Sequence, residues 1–135
     1  MKYLLDTNIC IYIIKRRPER VIQELAKQTV GEVGISSITA AELWHGVARS
    51  QSHERSRAAL EQFFVPLITA EFDAAAAAAY GHVRAALEKQ GQPIGPFDTL
   101  IAAHALALGT TLVTNNEREF RRVPGLTVVN WASDE

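Results

Sequence analysis

Short apolar runs alternate along this chain with longer stretches of helical periodicity. Tyr3-Leu4-Leu5 predicts a strand over 2–5, central in its sheet and covered on both faces. The run from Ile9 to Ile14 is too long to follow as a second strand without a turn, so it reads as a helix. It ends at Lys15-Arg16-Arg17-Pro18, where the proline opens a second helix over 19–28. Gly31 and Gly34 bracket a turn, and 33–36 is the second strand. Thr39-Ala40-Ala41-Glu42 has capping-box spacing and starts a helix that runs to Arg49. A further helix takes 53–64 and a short strand 65–67. Thr69 or Glu71 starts a long helix through the alanine run 74–79 to Gln90, and Gly91 stops it. Gln92-Pro93-Ile94-Gly95-Pro96 is a constrained linker. An almost wholly apolar helix over 97–108 follows, closed by Gly109. A strand over 111–114, one helical turn over 117–121 and an edge strand over 126–129 complete the chain.

Strands that alternate with helices predict an α/β fold with a mostly parallel sheet covered on both faces. At 135 residues, the chain is expected to form one domain over 1–135. Hydrophobic residues make up 47% and charged residues 21%, which supports a packed core and excludes a disordered chain. The one cysteine, Cys10, excludes an internal disulfide and fits the reducing cytoplasm. Its neighbours Ile9 and Ile11 mark it as a small buried side chain. The chain goes straight into a strand, so no signal peptide is expected. No apolar run reaches the roughly 20 residues that span a bilayer, so no membrane association is expected.

Acidic residues change the picture. Asp6 follows the first strand, Glu42 opens the helix after the second, Asp98 starts the apolar helix, and Glu119 lies past the fourth strand. In open α/β sheets, ligands bind outside the carboxyl ends of the strands. Carboxylates gathered there repel one another unless a cation or protons offset them. Three of the acids also have a plainer explanation. Asp6 or Asn8 can cap a helix, Glu42 fits the capping box, and Asp98 sits in a first helical turn. Three polar residues, Asp6-Thr7-Asn8, exceed what one cap needs. Asn8 as the cap leaves Asp6 free, and Thr7 is placed to hydrogen-bond a neighbouring carboxylate. Asn116 and Glu119 compete for the fourth position, and Glu119 is favoured because it carries charge. Glu117 is expected to face solvent. Oxygen donors without histidine or thiolate select Mg²⁺, or Mn²⁺, over zinc. His45, His53, His82 and His104 show no ligand spacing.

A net charge of −1 argues against an ordinary DNA-binding domain. The bases are nonetheless clustered: Lys15, Arg16, Arg17 and Arg20; then Arg118, Arg121 and Arg122; then Arg49, Arg55 and Arg57. With the acids turned inward, Lys15, Arg16, Arg17, Arg118 and Arg121 are free to face a polyanion. Ile9, Tyr12, Ile13 and Ile14 make the first helix apolar around more than one stripe. With Trp44 and Val47 they offer a surface for a protein partner, the core or a second copy of the chain.

The blocks together resemble a known family. Leu4-Leu5-Asp6-Thr7-Asn8 and Ser36-Ser37-Ile38-Thr39-Ala40-Ala41-Glu42-Leu43 resemble the N-terminal half of a PIN-domain ribonuclease. Gly95-Pro96-Phe97-Asp98-Thr99-Leu100-Ile101-Ala102-Ala103-His104-Ala105 resembles its third acidic block. Leu112 through Phe120, with Val123-Pro124-Gly125-Leu126 and Asn130-Trp131, resembles the end of its VapC toxin branch. The resemblance implies a three-layer α/β/α sandwich with about five strands. It implies a metal-dependent endoribonuclease toxin of a type II toxin–antitoxin system, with a VapB-like antitoxin, a homodimer, and promoter DNA reached only through the antitoxin. Asp6, Glu42 and Asp98 match the first three acidic positions, where Mg²⁺ is held. Many members carry aspartate where this chain has Asn116; others place the acid just before the phenylalanine, at Glu119. Thr114 and Asn116 would support the site. The Thr114–Phe120 block also resembles members that cleave initiator tRNA in its anticodon stem-loop.

Three rivals have distinct signatures. A phosphatase with an aspartate nucleophile normally shows Asp-x-Asp, and this chain has Asp6-Thr7-Asn8. A non-catalytic interaction module with an acidic metal-binding cleft would bind Mn²⁺ and RNA without turnover. A DNA-directed nuclease would cleave matched DNA hairpins.

Overall fold

The computed structural model describes residues 1–133. The chain runs β1 (Tyr3–Leu5), α1 (Thr7–Lys15), α2 (Glu19–Ala26), β2 (Val33–Ser36), α3 (Ser37–Ala48), α4 (His53–Phe64) and β3 (Ile68–Ala70). It continues as α5 (Ala74–Lys89), α6 (Pro96–Leu108), β4 (Thr111–Val113), α7 (Glu117–Phe120) and β5 (Val128–Val129). All strand pairs are parallel, in the order β3-β2-β1-β4-β5. This is the expected three-layer sandwich with β1 in the centre and β5 at an edge.

Alternation along the central strands builds the two helical layers. Leu5, Ile35 and Val113 face a core shared with α1, α2, α3 and α4, which includes Ile9, Cys10, Val21, Leu43 and Leu60. Leu4 and Leu112 face the opposite core, built with Val83 and Leu87 of α5 and Ile101 to Ala103 of α6. Leu4, Leu5 and Leu112 are fully buried, as β1 and β4 must be when covered on both sides. Truncating a side chain such as Leu5 to alanine would cost about 2–5 kcal/mol. Cys10 is buried, as its apolar neighbours required.

Several boundaries moved, each for a local reason. The third strand lies at Ile68–Ala70 rather than 65–67. Val65 caps α4, Pro66 has no amide to give a ladder, and Leu67 N donates back to the Phe64 carbonyl. The capping box at Thr39 does not form. Ser36 caps α3 through the Ile38 amide, so Glu42 falls in the second turn and Thr39 is buried. Asp73, not Thr69 or Glu71, starts α5 by accepting from the Ala76 amide. Gly109 closes α6 in the left-handed conformation, φ +69°, that its position called for.

Strand order sets the functional geography. The chain adds β2 and β3 on one side of β1, then β4 and β5 on the other. The direction of winding reverses between β1 and β4, and the crevice there, beyond the carboxyl ends, is where such sheets bind ligands. Asp6 follows β1 and Thr114 follows β4.

A carboxylate site at the switch point

Asp6 sits at the rim of that crevice. Its amide donates to the Val113 carbonyl at 3.0 Å, extending the β1–β4 ladder by one bond. Its side chain is the α1 cap: Oδ1 accepts from the Ile9 amide at 2.9 Å. Asn8 is exposed and does not take that role. Capping therefore does not free Asp6; the same carboxylate serves the helix and faces the crevice. Only 3% of Asp6 is exposed, and burial pushes its carboxyl up to about 6. The Thr114 hydroxyl and the Ile9 amide pull it down, while the charges of Asp98 and Glu42 push it further up. The influence of burial exceeds that of the cap.

Glu42 reaches the crevice from α3. Its Oε1 accepts from the Thr7 hydroxyl at 2.6 Å. Thr7 also lies 3.2 Å from the Thr39 hydroxyl, so three side chains from two helices lock together. Thr39 was not anticipated: its spacing suggested a cap, and burial gave it a different neighbour.

Asp98 projects from the first turn of α6. The approach is rigid. Pro96 occupies the first helical turn, and the Gly95 carbonyl accepts from both the Thr99 amide at 2.9 Å and the Thr99 hydroxyl at 2.8 Å. Burial raises the Asp98 carboxyl above its ordinary value, and the Glu119 and Glu42 charges add to that. Asp98 makes no hydrogen bond through its carboxylate among the described residues.

Glu119 and Asn116 share the β4–β5 connection. Glu119 is half-buried in α7 and acts electrostatically on Asp98. The Asn116 amide donates to the Thr114 hydroxyl at 2.9 Å, and its carboxamide makes no hydrogen bond among the described residues. Glu117 does not simply face solvent: it accepts from Arg121 at 2.8 Å and Asn130 at 3.0 Å, which hold its carboxyl below the usual range. Asn115 donates to the Tyr12 hydroxyl at 2.6 Å and ties this loop to α1. No sequence signal pointed to these roles of Asn115 and Thr39, because both act through neighbours far away in the chain.

Among the described residues, no three His, Cys, Asp or Glu side chains lie close enough to enclose an ion as they stand. The donor chemistry nonetheless fits a hard cation. Burial raises the Asp6 and Asp98 carboxyls, the charges of Asp98 and Glu42 add to the first, those of Glu119 and Glu42 add to the second, and all donors are oxygen.

Comparison with known proteins decides the family. The PIN domain profile matches residues 3–126. The tRNA(fMet)-specific endonuclease VapC of Shigella flexneri is 46% identical over 98% of this chain and 99% of that protein. This chain belongs to the PIN-domain family, in its VapC toxin branch. The crystal structure of DNA-bound VapBC from Salmonella typhimurium matches with a TM-score of 0.92 and 43% identity, over 97% of this chain and 98% of that one. VapBC2 from Rickettsia felis, bound to a promoter DNA fragment, matches at 0.89 and 42%, over 97% and 99%. VapC membership carries ribonuclease toxin function in general. Among the described residues, no helix is long and apolar enough to cross a membrane.

Proposed function

We propose that this chain is a Mg²⁺- or Mn²⁺-dependent endoribonuclease, working as one PIN-like domain in the cytoplasm. Asp6, Glu42 and Asp98 hold the cation, and Glu119 completes the site in preference to Asn116. What supports this reading is the electrostatic influence of Asp98 and Glu42 on Asp6, and of Glu119 and Glu42 on Asp98, beside the switch-point crevice. When bound, the cation supplies positive charge to the scissile phosphate and lowers the pKa of an attacking water. The chain's own residues prepare the site. The Ile9 amide fixes Asp6, Thr7 fixes the rotamer of Glu42, and the Gly95–Thr99 bonds fix the approach of Asp98. Asn116 and Thr114 support the β4 side.

Initiator tRNA, cut in the anticodon stem-loop, is the proposed substrate, because a relative 46% identical is named a tRNA(fMet)-specific endonuclease. Lys15, Arg16, Arg17 and Arg118 are exposed and make no ion pair among the described residues, which suits phosphate contacts. Arg121 already holds Glu117 and is the weaker candidate of the five.

The protein partner is a VapB-like antitoxin. Its support is the pair of related complexes solved with DNA and an apolar groove of about 370 Å³ between α1, α3 and α4. Ile11, Ile14, Leu43 and Val47 line the groove, and Glu42 stands at its edge. Most of the α1 surface is otherwise used: Ile9, Cys10 and Ile13 are buried, and Tyr12 holds Asn115. Promoter DNA is contacted only through the antitoxin, and the toxin pairs as a homodimer.

Purified, antitoxin-free protein incubated with initiator tRNA tests this reading. Cleavage is expected in Mg²⁺ or Mn²⁺, with none in chelator and none by Asp98→Asn. Binding without turnover would favour an interaction module, and equal cutting of a matched DNA hairpin would favour a DNA-directed nuclease.

A further inference from the structure

A cleft of about 500 Å³ opens from the carboxylate site along α1 and α3. Thr7 and Glu42 stand at one end, His45 and Arg49 continue along α3, and Phe97 lines it from α6. The chemistry proposed above uses none of the last three. Glu42, His45 and Arg49 are spaced three and four residues apart, so they share one face of α3. At 1.5 Å per residue, Arg49 lies about 10 Å beyond Glu42 along the helix. Arg49 is exposed and makes no ion pair among the described residues.

Phe97 is the unusual member. It is 53% exposed, although Asp98, the next residue, feels the charges of Glu119 and Glu42. Its helix does not lack a core, since Ile101, Ala102 and Ala103 are fully buried. The ring is held out from a fixed turn, because the Gly95 carbonyl accepts two bonds from Thr99 and Pro96 follows it. A rigidly presented aromatic face beside a phosphate-cleaving site suits the π-face of an unpaired base.

We propose that Phe97, His45 and Arg49 form a subsite for the nucleotide next to the scissile phosphate, a proposal that rests on the ribonuclease reading above. Phe97 stacks on the base, Arg49 pairs with the adjoining phosphate, and His45 hydrogen-bonds between them. The run from carboxylate to guanidinium along α3 orients the strand: the scissile phosphate lies at the acidic end, and the neighbouring phosphate lies where a base offsets its charge. Stacking requires a base already out of a duplex, so the subsite selects a nucleotide in a single-stranded loop. It is tolerant of base identity, so it supplies position and affinity rather than sequence choice. A cleft of this size is within the range of small-ligand sites.

The test uses the antitoxin-free protein and RNA hairpins carrying the initiator anticodon loop, with 2-aminopurine at successive loop positions. Stopped-flow mixing reads binding before cleavage, and steady-state assays in Mn²⁺ give kcat and KM. We expect a change in 2-aminopurine emission at the position flanking the cut. Phe97→Ala should remove that change and raise KM about tenfold, with kcat little altered, while Phe97→Trp should keep both near wild type. Arg49→Ala should reduce the slope of log affinity against log salt by about 0.7. If wild type cleaves and Phe97→Ala matches it in KM and emission, the subsite is wrong and the ribonuclease reading stands. If wild type neither binds nor cleaves the hairpin, both fall. If Phe97→Ala loosens only the antitoxin complex and leaves RNA binding intact, the ring belongs to a protein-binding surface and the proposal is overturned.

Discussion

Two helices in this protein begin with an aspartate in the same local role. Asp6 accepts from the Ile9 amide at 2.9 Å, and Asp73 accepts from the Ala76 amide at 3.0 Å. Both residues have extended backbone, and each bonds the amide three positions on. Their surroundings differ. Asp73 is exposed. Asp6 is buried against Thr114, feels Asp98 and Glu42, and has its carboxyl raised to about 6. A capping amide and a helix N-terminus both favour the ionised form. At Asp6 that preference loses to burial in a crevice already occupied by acids. The difference comes from topology: β1 is the strand at which winding reverses, and α5 begins away from that crevice. An N-cap is thus no argument against a ligand role.

Replacing each aspartate breaks the comparison most sharply. Asp6→Asn should lower RNA cleavage by about 10²–10³-fold, the scale of losing a transition-state charge contact, while Asp73→Asn should leave it unchanged. Gel assays with purified variants read this directly. Thr7→Val comes next. It leaves Glu42 without its 2.6 Å donor, and a lost supporting bond of this kind reduces metal affinity or activity about 10–100-fold. Glu119→Gln against Asn116→Ala sharpens the β4 side. The first should weaken Mn²⁺ binding about tenfold and the second less than about threefold, and the reverse order would move the fourth ligand to Asn116.

Stability should separate the two caps in the opposite sense. The Asp6 carboxyl is raised from 3.8 to about 6 in the fold. Its charged form is therefore penalised in the native state. The penalty is absent below pH 4, grows as pH rises through 6, and is complete above it. At about 1.4 kcal/mol per pKa unit, it reaches roughly 3 kcal/mol. Metal-free Asp6→Asn keeps a capping oxygen but loses that charge, so urea denaturation should find it more stable than wild type at pH 8 and not at pH 4. Asp73→Ala, by contrast, should lose about 1 kcal/mol at pH 8, the ordinary value of a cap.

Much of this arrangement was legible before folding. The strand at Tyr3–Leu5, the apolar α6 and the glycine that ends it follow from local patterns. The acids were legible as residue types placed after strands. What stayed hidden depends on distant partners. Thr39 looked like a cap, and only its burial beside Thr7 shows otherwise. Ser36, read as the end of a strand, caps α3 and lies 2.8 Å from His104 Nδ1, joining residues 68 positions apart. The third strand was misplaced by a few residues because a short edge strand carries a weak pattern: β3 has no buried residue to mark it. Phe97 looked like one more apolar helical residue, and its exposure appears only once its neighbours are in place.

Calorimetric titration of Mn²⁺ into the metal-free protein at pH 7.5 tests the central claim most directly. Wild type and Asp73→Asn should bind with the same affinity, while Asp6→Asn and Asp98→Asn should show greatly weakened binding. Equal Mn²⁺ binding by all four proteins would contradict the carboxylate site.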